Sequence, residues 1–174
     1  YSDGTVNWLP ACAEVDGLLV NRALMEEHHI PIPSTRREFM EACAALKALG
    51  IRPFRSNFNA DYTCMEILQG LSIAQLTSQA GREWRQRYES GQTDELSEDV
   101  WLPVFERMLD FIGYAGITRS DLEGDTAEIF DDYKSRRTAM IRGTCDEAVK
   151  YGAEEGTVMI PYCGEAEENS WYLT

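Results

Sequence analysis

Histidine is scarce in this chain, and the common catalytic motifs are absent from it. The sequence contains no G-x-S-x-G, no phosphate-binding glycine loop, no G-x-G-x-x-G and no H-E-x-x-H. The only two histidines, His28 and His29, are adjacent at the end of a predicted helix. General acid–base catalysis needs a positioned partner, so such a pair is more often solvated than catalytic.

Carboxylates are abundant, with 30 Asp and Glu residues, and one pair has a spacing that glycoside hydrolysis could use. Glu14 and Asp16 lie at the start of a predicted strand, where a period of two directs both side chains to one face. A glycosidase needs two carboxyl groups at a defined separation, one of them with a raised pKa. Nothing close in sequence raises the pKa of either residue, so this pair supports an alternative hypothesis only.

The cysteine pattern predicts free thiols and no bound metal. The count is five, which is odd, and no pair has C-x-x-C spacing. A structural zinc site needs clustered ligands, and only the histidine pair could join these cysteines. No cofactor is predicted, and Cys43, on the apolar face of a helix, is expected in the core. The five residues are Cys12, Cys43, Cys64, Cys145 and Cys163.

Several aromatic residues lie at strand ends, helix starts or turns instead of within helical stripes. Such positions suit a cleft in which a ring stacks on a flat, half-apolar ligand face. Packing in the core is the alternative for each of them. These residues are Trp8, Tyr62, Tyr162, Trp171 and Tyr172.

Composition limits the classes of protein and partner. The length of 174 residues predicts a single domain. Hydrophobic residues make up 44% of the chain and charged residues 26%, which is ordinary globular usage. Its formal net charge of -14 repels phosphate groups, so nucleic acid and anionic membrane surfaces are disfavoured partners. No apolar run is long enough to span a membrane.

Helices that alternate with short strands must position these residues. Thr35 and Glu38 have capping-box spacing ahead of an apolar helical stripe, and Gly50 is expected to end that helix. Further helices are predicted at 23–29, 60–80, 82–89, 100–112, 126–135 and 146–155, with Pro103 near a first turn or at a kink. Strands are predicted at 5–9, 15–21, 51–54, 138–142, 157–161 and 171–174. This alternation favours an α/β or mixed α+β domain around one sheet.

Five segments, in order along the chain, carry patterns that can be compared with known families. They are Trp8–Pro10 with Leu18–Leu24, then 30–39, 46–54, 133–143 and 157–161. Together these segments resemble the extracytoplasmic solute-binding proteins of ABC importers, in the sugar-binding group that includes maltodextrin-binding protein. The third segment, for example, reads LKALGIRPF, similar to the family's "lk…GI-x-Pf". The resemblance covers nearly the whole chain.

The resemblance implies a fold, a location and a function. The fold is one lobe of a periplasmic-binding-protein-like fold, with a mixed sheet of about four to five short strands flanked by helices. Residues 1–174 then form one domain, the main segment of the second lobe, and the first lobe is absent. The expected protein is a monomeric, extracytoplasmic or periplasmic receptor, anchored as a lipoprotein where it is cell-bound. It binds a mono- or oligosaccharide between its lobes, delivers it to the transmembrane subunits of an ABC permease, and is not an enzyme.

The resemblance also suggests which residues contact the ligand. They lie after Pro10, at the start of the second long helix, and after Gly143. At Thr144-Cys145 many sugar binders carry a Trp that stacks on the ligand, so this departure makes a less common ligand credible. The expected ligand-binding residues are Glu14, Asn59, Asp61, Tyr62, Thr144, Cys145 and Asp146.

Two alternatives remain open at this point. The chain could be a glycoside hydrolase fragment that uses paired carboxylates. It could instead be a mostly helical interaction domain without a small ligand, which predicts an exposed apolar patch in place of a concave polar and aromatic site.

Overall fold

The structure, a computed structural model, describes residues 13–58, 61–152, 156–164 and 172–173. These residues form one mixed sheet flanked by helices, as predicted. The strands are β1 (Val15–Asn21), β2 (Arg52–Arg55), β3 (Thr138–Thr144), β4 (Thr157–Ile160) and β5 (Tyr172–Leu173). The helices are α1 (Arg22–Glu27), α2 (Arg36–Ala48), α3 (Asp61–Thr77), α4 (Gln79–Glu89), α5 (Glu98–Ala115), α6 (Thr126–Lys134) and α7 (Cys145–Gly152). A short 3-10 helix spans Arg119–Glu123.

The sheet has the strand order β2-β3-β1-β4, and β5 also pairs with β1. Strand β2 runs parallel to β3, whereas β1 runs antiparallel to β3, β4 and β5. The carboxyl ends of β2 and β3 therefore meet at one edge, together with the start of β1. The register confirms this arrangement, because Asp16 at the start of β1 pairs with Thr144 at the end of β3.

Both faces of the sheet are covered, which explains why the middle of β1 is apolar without alternation. Leu18 and Val20 belong to a core shared with α2, α3 and α5. Leu19 points the opposite way and packs with Ile141 and with Tyr133 of α6. The central strand is thus buried on two sides, and its end is held rigidly at the edge described above.

The signals at the ends of α2 act as predicted. Thr35 Oγ1 accepts a hydrogen bond from the Glu38 amide at 3.2 Å, and Glu38 Oε2 accepts from the Ser34 amide at 2.8 Å. Gly50 follows the helix with a φ of 73°, a conformation that glycine adopts without strain. Cys43 is fully buried on the apolar face, also as predicted.

Some predicted boundaries were wrong. The predicted helix 60–80 ends at Thr77, because the Ser78 hydroxyl caps α4 by accepting from the Gly81 amide at 3.1 Å. Strand β3 continues past residue 142 to Thr144. The predicted strand 5–9, which contains Trp8, lies outside the described residues. Trp171 also lies outside them.

Pro103 lies inside α5, beyond its first turn. Proline has no amide hydrogen, so the carbonyl of Asp99, four residues earlier, loses its helical partner. Gln75 of α3 replaces that partner, donating from Nε2 to the Asp99 oxygen at 3.2 Å. The helix therefore tolerates the proline because a neighbouring helix supplies the missing hydrogen bond.

Three predictions on thiols, metals and membranes can be compared with the described part of the chain. Cys43, Cys64, Cys145 and Cys163 are free thiols, while Cys12 falls outside that part. No group of three or more described His, Cys, Asp or Glu side chains is placed to hold a metal ion. None of the described helices combines the length and the apolar character that crossing a bilayer requires.

Candidate functional site

A cavity of about 50 Å³ opens at the edge where β2 and β3 end. Ligands of open α/β sheets commonly bind outside the carboxyl ends of the strands, because the loops and helix starts there converge. Here β2 leads into Ser56 and Asn57, and α3 and α7 begin beside them. The lining residues are Ser56, Asn57, Tyr62, Thr63, Thr126, Ile129, Phe130, Arg142 and Glu147.

Arg142 of β3 is the cation among these lining residues. Its Nη2 lies 2.5 Å from Asp16 Oδ2 and 2.8 Å from Glu66 Oε2. Its Nη1 lies 3.9 Å from Glu147 Oε2. The side chain is only 12% exposed, so three carboxylates from β1, α3 and α7 fix the guanidinium at the cavity wall.

Asp16 contacts Arg142 on one side and the Tyr162 hydroxyl on the other. Its side chain is fully buried, and its Oδ1 accepts a hydrogen bond from the Tyr162 hydroxyl at 2.5 Å. Tyr162 packs so closely on α3 that a Cβ at Gly70 would lie 2.1 Å from the ring carbon Cδ2. Glycine is therefore required at position 70 for Tyr162 to reach Asp16.

The ring of Tyr162 is not available to stack on a ligand. The residue is only 3% exposed and belongs to the core beneath the sheet. Of the two interpretations given for this residue, a cleft wall or core packing, the structure supports core packing, in which the hydroxyl donates to a buried carboxylate.

Burial dominates the electrostatics of the cluster. It raises the pKa of Asp16 and of Glu66 above their ordinary values, although Arg142 acts in the opposite direction on both. Burial alone would lower the pKa of Arg142, but Asp16 and Glu66 raise it, so the guanidinium keeps its charge. Burial also raises the pKa of Tyr162 well above its usual value, which keeps the hydroxyl protonated as the donor to Asp16.

Thr144 forms the N-terminal cap of α7. Its Oγ1 accepts from the Glu147 amide at 3.3 Å, while Glu147 Oε2 accepts from the Thr144 amide at 2.9 Å. This reciprocal pair is a capping box. Glu147 consequently has two tasks, since the same oxygen also lies near Arg142.

The remaining predicted contact residues occupy different places. Tyr62 lines the cavity and is 62% exposed, so its ring is open to solvent there. Glu14 and Cys145 are half-buried, with the amide of Val15 donating to Cys145 Sγ at 3.5 Å, and Asp146 is exposed. Among the predicted residues whose side chains the structure describes, Tyr62 lines the cavity, whereas Glu14, Thr144, Cys145 and Asp146 do not. Asn59 and the side chain of Asp61 lie outside the described residues.

The sequence analysis missed three charged residues of the site, Arg142, Glu66 and Glu147. It also missed the uncharged polar lining residues Ser56, Asn57, Thr63 and Thr126. A signal for Arg142 was present, because it follows Met140 at a period of two on the same face of a buried strand. A charge at such a position needs buried partners. Glu66 follows Tyr62 by four residues on α3 and therefore lies on the same helical face.

The comparisons with known proteins concern the fold. No protein-family model matches the chain, and no curated protein matches it. A solved chitin oligosaccharide binding protein matches 98% of the chain over 43% of its own length, with 19% identity and a TM-score of 0.75. A family 1 extracellular solute-binding protein from Bifidobacterium longum subsp. infantis matches 98% over 45%, with 16% identity and a TM-score of 0.75.

A third solved structure, a sugar transporter from Bacillus licheniformis in complex with stachyose, matches 99% of the chain over 46% of its own length. Its identity is 17% and its TM-score 0.73. The chain therefore has the fold of part of a sugar-binding solute-binding protein, as the resemblance predicted. It spans less than half the length of these three structures.

Proposed function

We propose that this chain is the main segment of the second lobe of a two-lobed solute-binding protein that binds a carbohydrate at the edge where β2 and β3 end. The observation that carries the proposal is the cavity itself, in which the exposed Tyr62 lies beside Arg142 and several hydroxyl and amide groups. The solved structures of this fold include proteins described as binding chitin oligosaccharide or holding stachyose, which supports a sugar as the ligand.

The lining residues have the chemistry that a sugar requires. Hydroxyl groups of Ser56, Thr63 and Thr126 can donate to sugar hydroxyls, and Thr126 Oγ1 is oriented by accepting from Asn57 Nδ2 at 2.8 Å. The Tyr62 ring can cover the apolar C–H face of a pyranose. Arg142 contributes guanidinium hydrogen-bond donors whose position the buried carboxylates fix, so little entropy is lost when a ligand binds.

The size of the cavity supports an incomplete site. Its volume of about 50 Å³ is far below the roughly 300 Å³ at which ordinary ligand pockets begin. In the proposed protein a first lobe covers this edge, closes about a hinge and encloses the sugar. The closed receptor, a monomer outside the cytoplasmic membrane, then delivers its ligand to an ABC permease.

The hydrolase alternative has weak support in the described residues. Asp16 is fully buried, and its two oxygens face Tyr162 and Arg142. It is therefore not presented to a substrate, and the pair Glu14 and Asp16 does not flank an accessible bond. We propose a binding function without catalysis.

The interaction-domain alternative has one observation in its favour. Leu102, Phe105 and Leu109 of α5 are 47%, 41% and 69% exposed and follow one another along one side of that helix. None of them lines the cavity. This apolar stripe does not explain the polar, aromatic cavity, so it does not replace the carbohydrate proposal.

A thermal-shift screen of the full-length protein that contains this chain tests the proposed function. Mono- and oligosaccharides are compared with amino acids and polyols, because a ligand that binds only the folded state raises the melting temperature. We expect a concentration-dependent increase with at least one sugar. An increase with amino acids or polyols alone, or with none of the compounds, contradicts a carbohydrate function.

A further inference from the structure

The charges around Arg142 indicate which sugars the cavity accepts. This inference rests on the function proposed above. An arginine at the wall of a polar cavity ordinarily indicates a partner with a carboxylate, sulfate or phosphate group. This interpretation does not apply here, because protein carboxylates already surround the guanidinium. Asp16 Oδ2 and Glu66 Oε2 lie 2.5 and 2.8 Å from Nη2, and Glu147 Oε2 lies 3.9 Å from Nη1. Three carboxylates surround one cation, so the cluster carries an excess of negative charge.

The second positive feature at this edge is also occupied. The N-terminus of α7 offers amide donors and a positive dipole end that could attract an anion. The Glu147 carboxylate already accepts from the Thr144 amide at 2.9 Å and places its negative charge there. Asp146 adds a second negative charge in the first turn of the same helix.

The rest of the lining provides no compensating cation. Apart from Arg142 and Glu147, the residues that line the described cavity are uncharged. The whole chain has a formal charge of -14, so its long-range field also repels anions. A ligand carboxylate would enter a site whose cation is already neutralised by the protein.

We propose that this site selects carbohydrates by charge, accepting neutral or amine-bearing sugars and rejecting acidic ones. Arg142 acts as a fixed hydrogen-bond donor to sugar hydroxyls and not as an anion receptor. Glu66 and Glu147 determine the specificity, because they supply the surplus negative charge from the two sides of the guanidinium. Removal of both charges leaves Asp16 as the partner of Arg142. The dissociation constant of an acidic sugar then lies closer to that of its neutral counterpart.

The experiment compares glucose, galactose and raffinose, each beside its C6-carboxylate and its C6-amine derivative. Dissociation constants are measured by calorimetry on the full-length protein at pH 7.5 and low salt. For every neutral sugar that binds, we expect the carboxylate to bind at least about tenfold more weakly and the amine to bind at least as tightly. In the double variant Glu66→Gln with Glu147→Gln, the penalty for the carboxylate is expected to fall at least threefold.

The matched control is Glu83→Gln with Glu89→Gln, which removes the same number of charges from exposed positions on α4. Glutamine at position 147 can keep the capping box, and Glu66→Gln alone serves if the double variant does not fold. Equal binding of acidic and neutral sugars, an unchanged penalty in the site variant, or the same relief in the control overturns the charge inference and leaves carbohydrate binding intact. If none of the nine compounds binds, the sugar that raises the melting temperature most in the screen is tested with its C6-carboxylate derivative; if no sugar raises it, the proposed function fails and the inference fails with it.

Discussion

At the scale of single residues, long-range contacts hold the charged groups of the site together, and they explain why the sequence did not reveal it. Tyr162 and Asp16 are 146 positions apart, and their hydrogen bond exists only after the sheet has formed. Sequence reasoning placed Glu14 and Asp16 on one face of a strand, but it had no means of pairing Asp16 with Arg142. It identified Tyr62 because a helix start and an aromatic ring are local features.

The pKa of Glu66 leads to a prediction about stability and pH. Burial raises this pKa above its ordinary 4.5, Arg142 opposes the increase, and Asp16, Glu147 and Glu14 add to it. Above pH 4.5 the unfolded chain loses this proton while the folded chain still retains it, so the free energy of unfolding falls as pH rises through the folded pKa. Glu66→Gln removes that titration.

The free energy of unfolding of the wild type minus that of Glu66→Gln is therefore expected to be largest at low pH. It should decrease as pH rises above 4.5 and become constant above the raised pKa. Urea unfolding at a series of pH values measures this difference, with the exposed Glu89→Gln on α4 as the control variant. A difference that is independent of pH, or that increases with it, would contradict the account of the cluster.

At the scale of secondary structure, strong local signals predicted the bounds of the elements correctly, whereas weak signals did not. Strand β1 was predicted at its observed bounds because apolar residues and turn signals delimit it. The break between α3 and α4 was predicted near residue 81 but lies at Ser78, because its position depends on one hydroxyl cap within a continuing helical pattern. Strand β3 was predicted to end before Gly143, but that glycine is needed inside the strand, where a Cβ would lie 2.6 Å from Leu19 Cδ1.

The close contact between α3 and Tyr162 predicts that Gly70→Ala destabilises the protein. The added Cβ would lie 2.1 Å from the Tyr162 ring and must displace it from Asp16. We expect a loss of about 1–3 kcal/mol in the free energy of unfolding, the usual cost of overpacking. Chemical denaturation of the wild type and the variant measures this loss.

Gly113 provides the matched control because it also lies inside a helix. A Cβ there would meet nothing within 4 Å, and the position is exposed. Gly113→Ala is therefore expected to stabilise the protein by about 0.5–1 kcal/mol through helix propensity alone. A Gly70→Ala variant as stable as the wild type would show that Tyr162 is not held by close packing on α3.

At the scale of the whole molecule, the fold accounts for a site that is positioned but not enclosed. The mixed sheet brings the ends of β2 and β3 to one edge, and the cavity there measures only about 50 Å³. The sequence predicted the fold class because its apolar patterns and family-like segments extend along nearly the whole chain. The site was predicted only in part, because its charged members meet through long-range contacts.

The incomplete cavity predicts weak binding by the isolated chain. We expect the 174-residue chain to bind a sugar at least about a hundredfold more weakly than the full-length protein, since a ligand in one lobe stays largely solvated. Titration calorimetry on both proteins with the same sugar measures the ratio. Equal affinities would show that this lobe forms the site without a partner lobe.

The measurement that tests the central claim most directly is calorimetric titration of the full-length protein and its Tyr62→Ala variant. Both proteins are titrated with raffinose and with the sugar that raises the melting temperature most in the screen. Tyr62 is 62% exposed at the cavity, so we expect about tenfold weaker binding in the variant and an unchanged melting temperature of the free protein. Tyr88→Ala, an exposed tyrosine on α4 outside the cavity, should bind like the wild type. Sugar binding that is unaffected by Tyr62→Ala would contradict the claim that this sheet edge is the carbohydrate site.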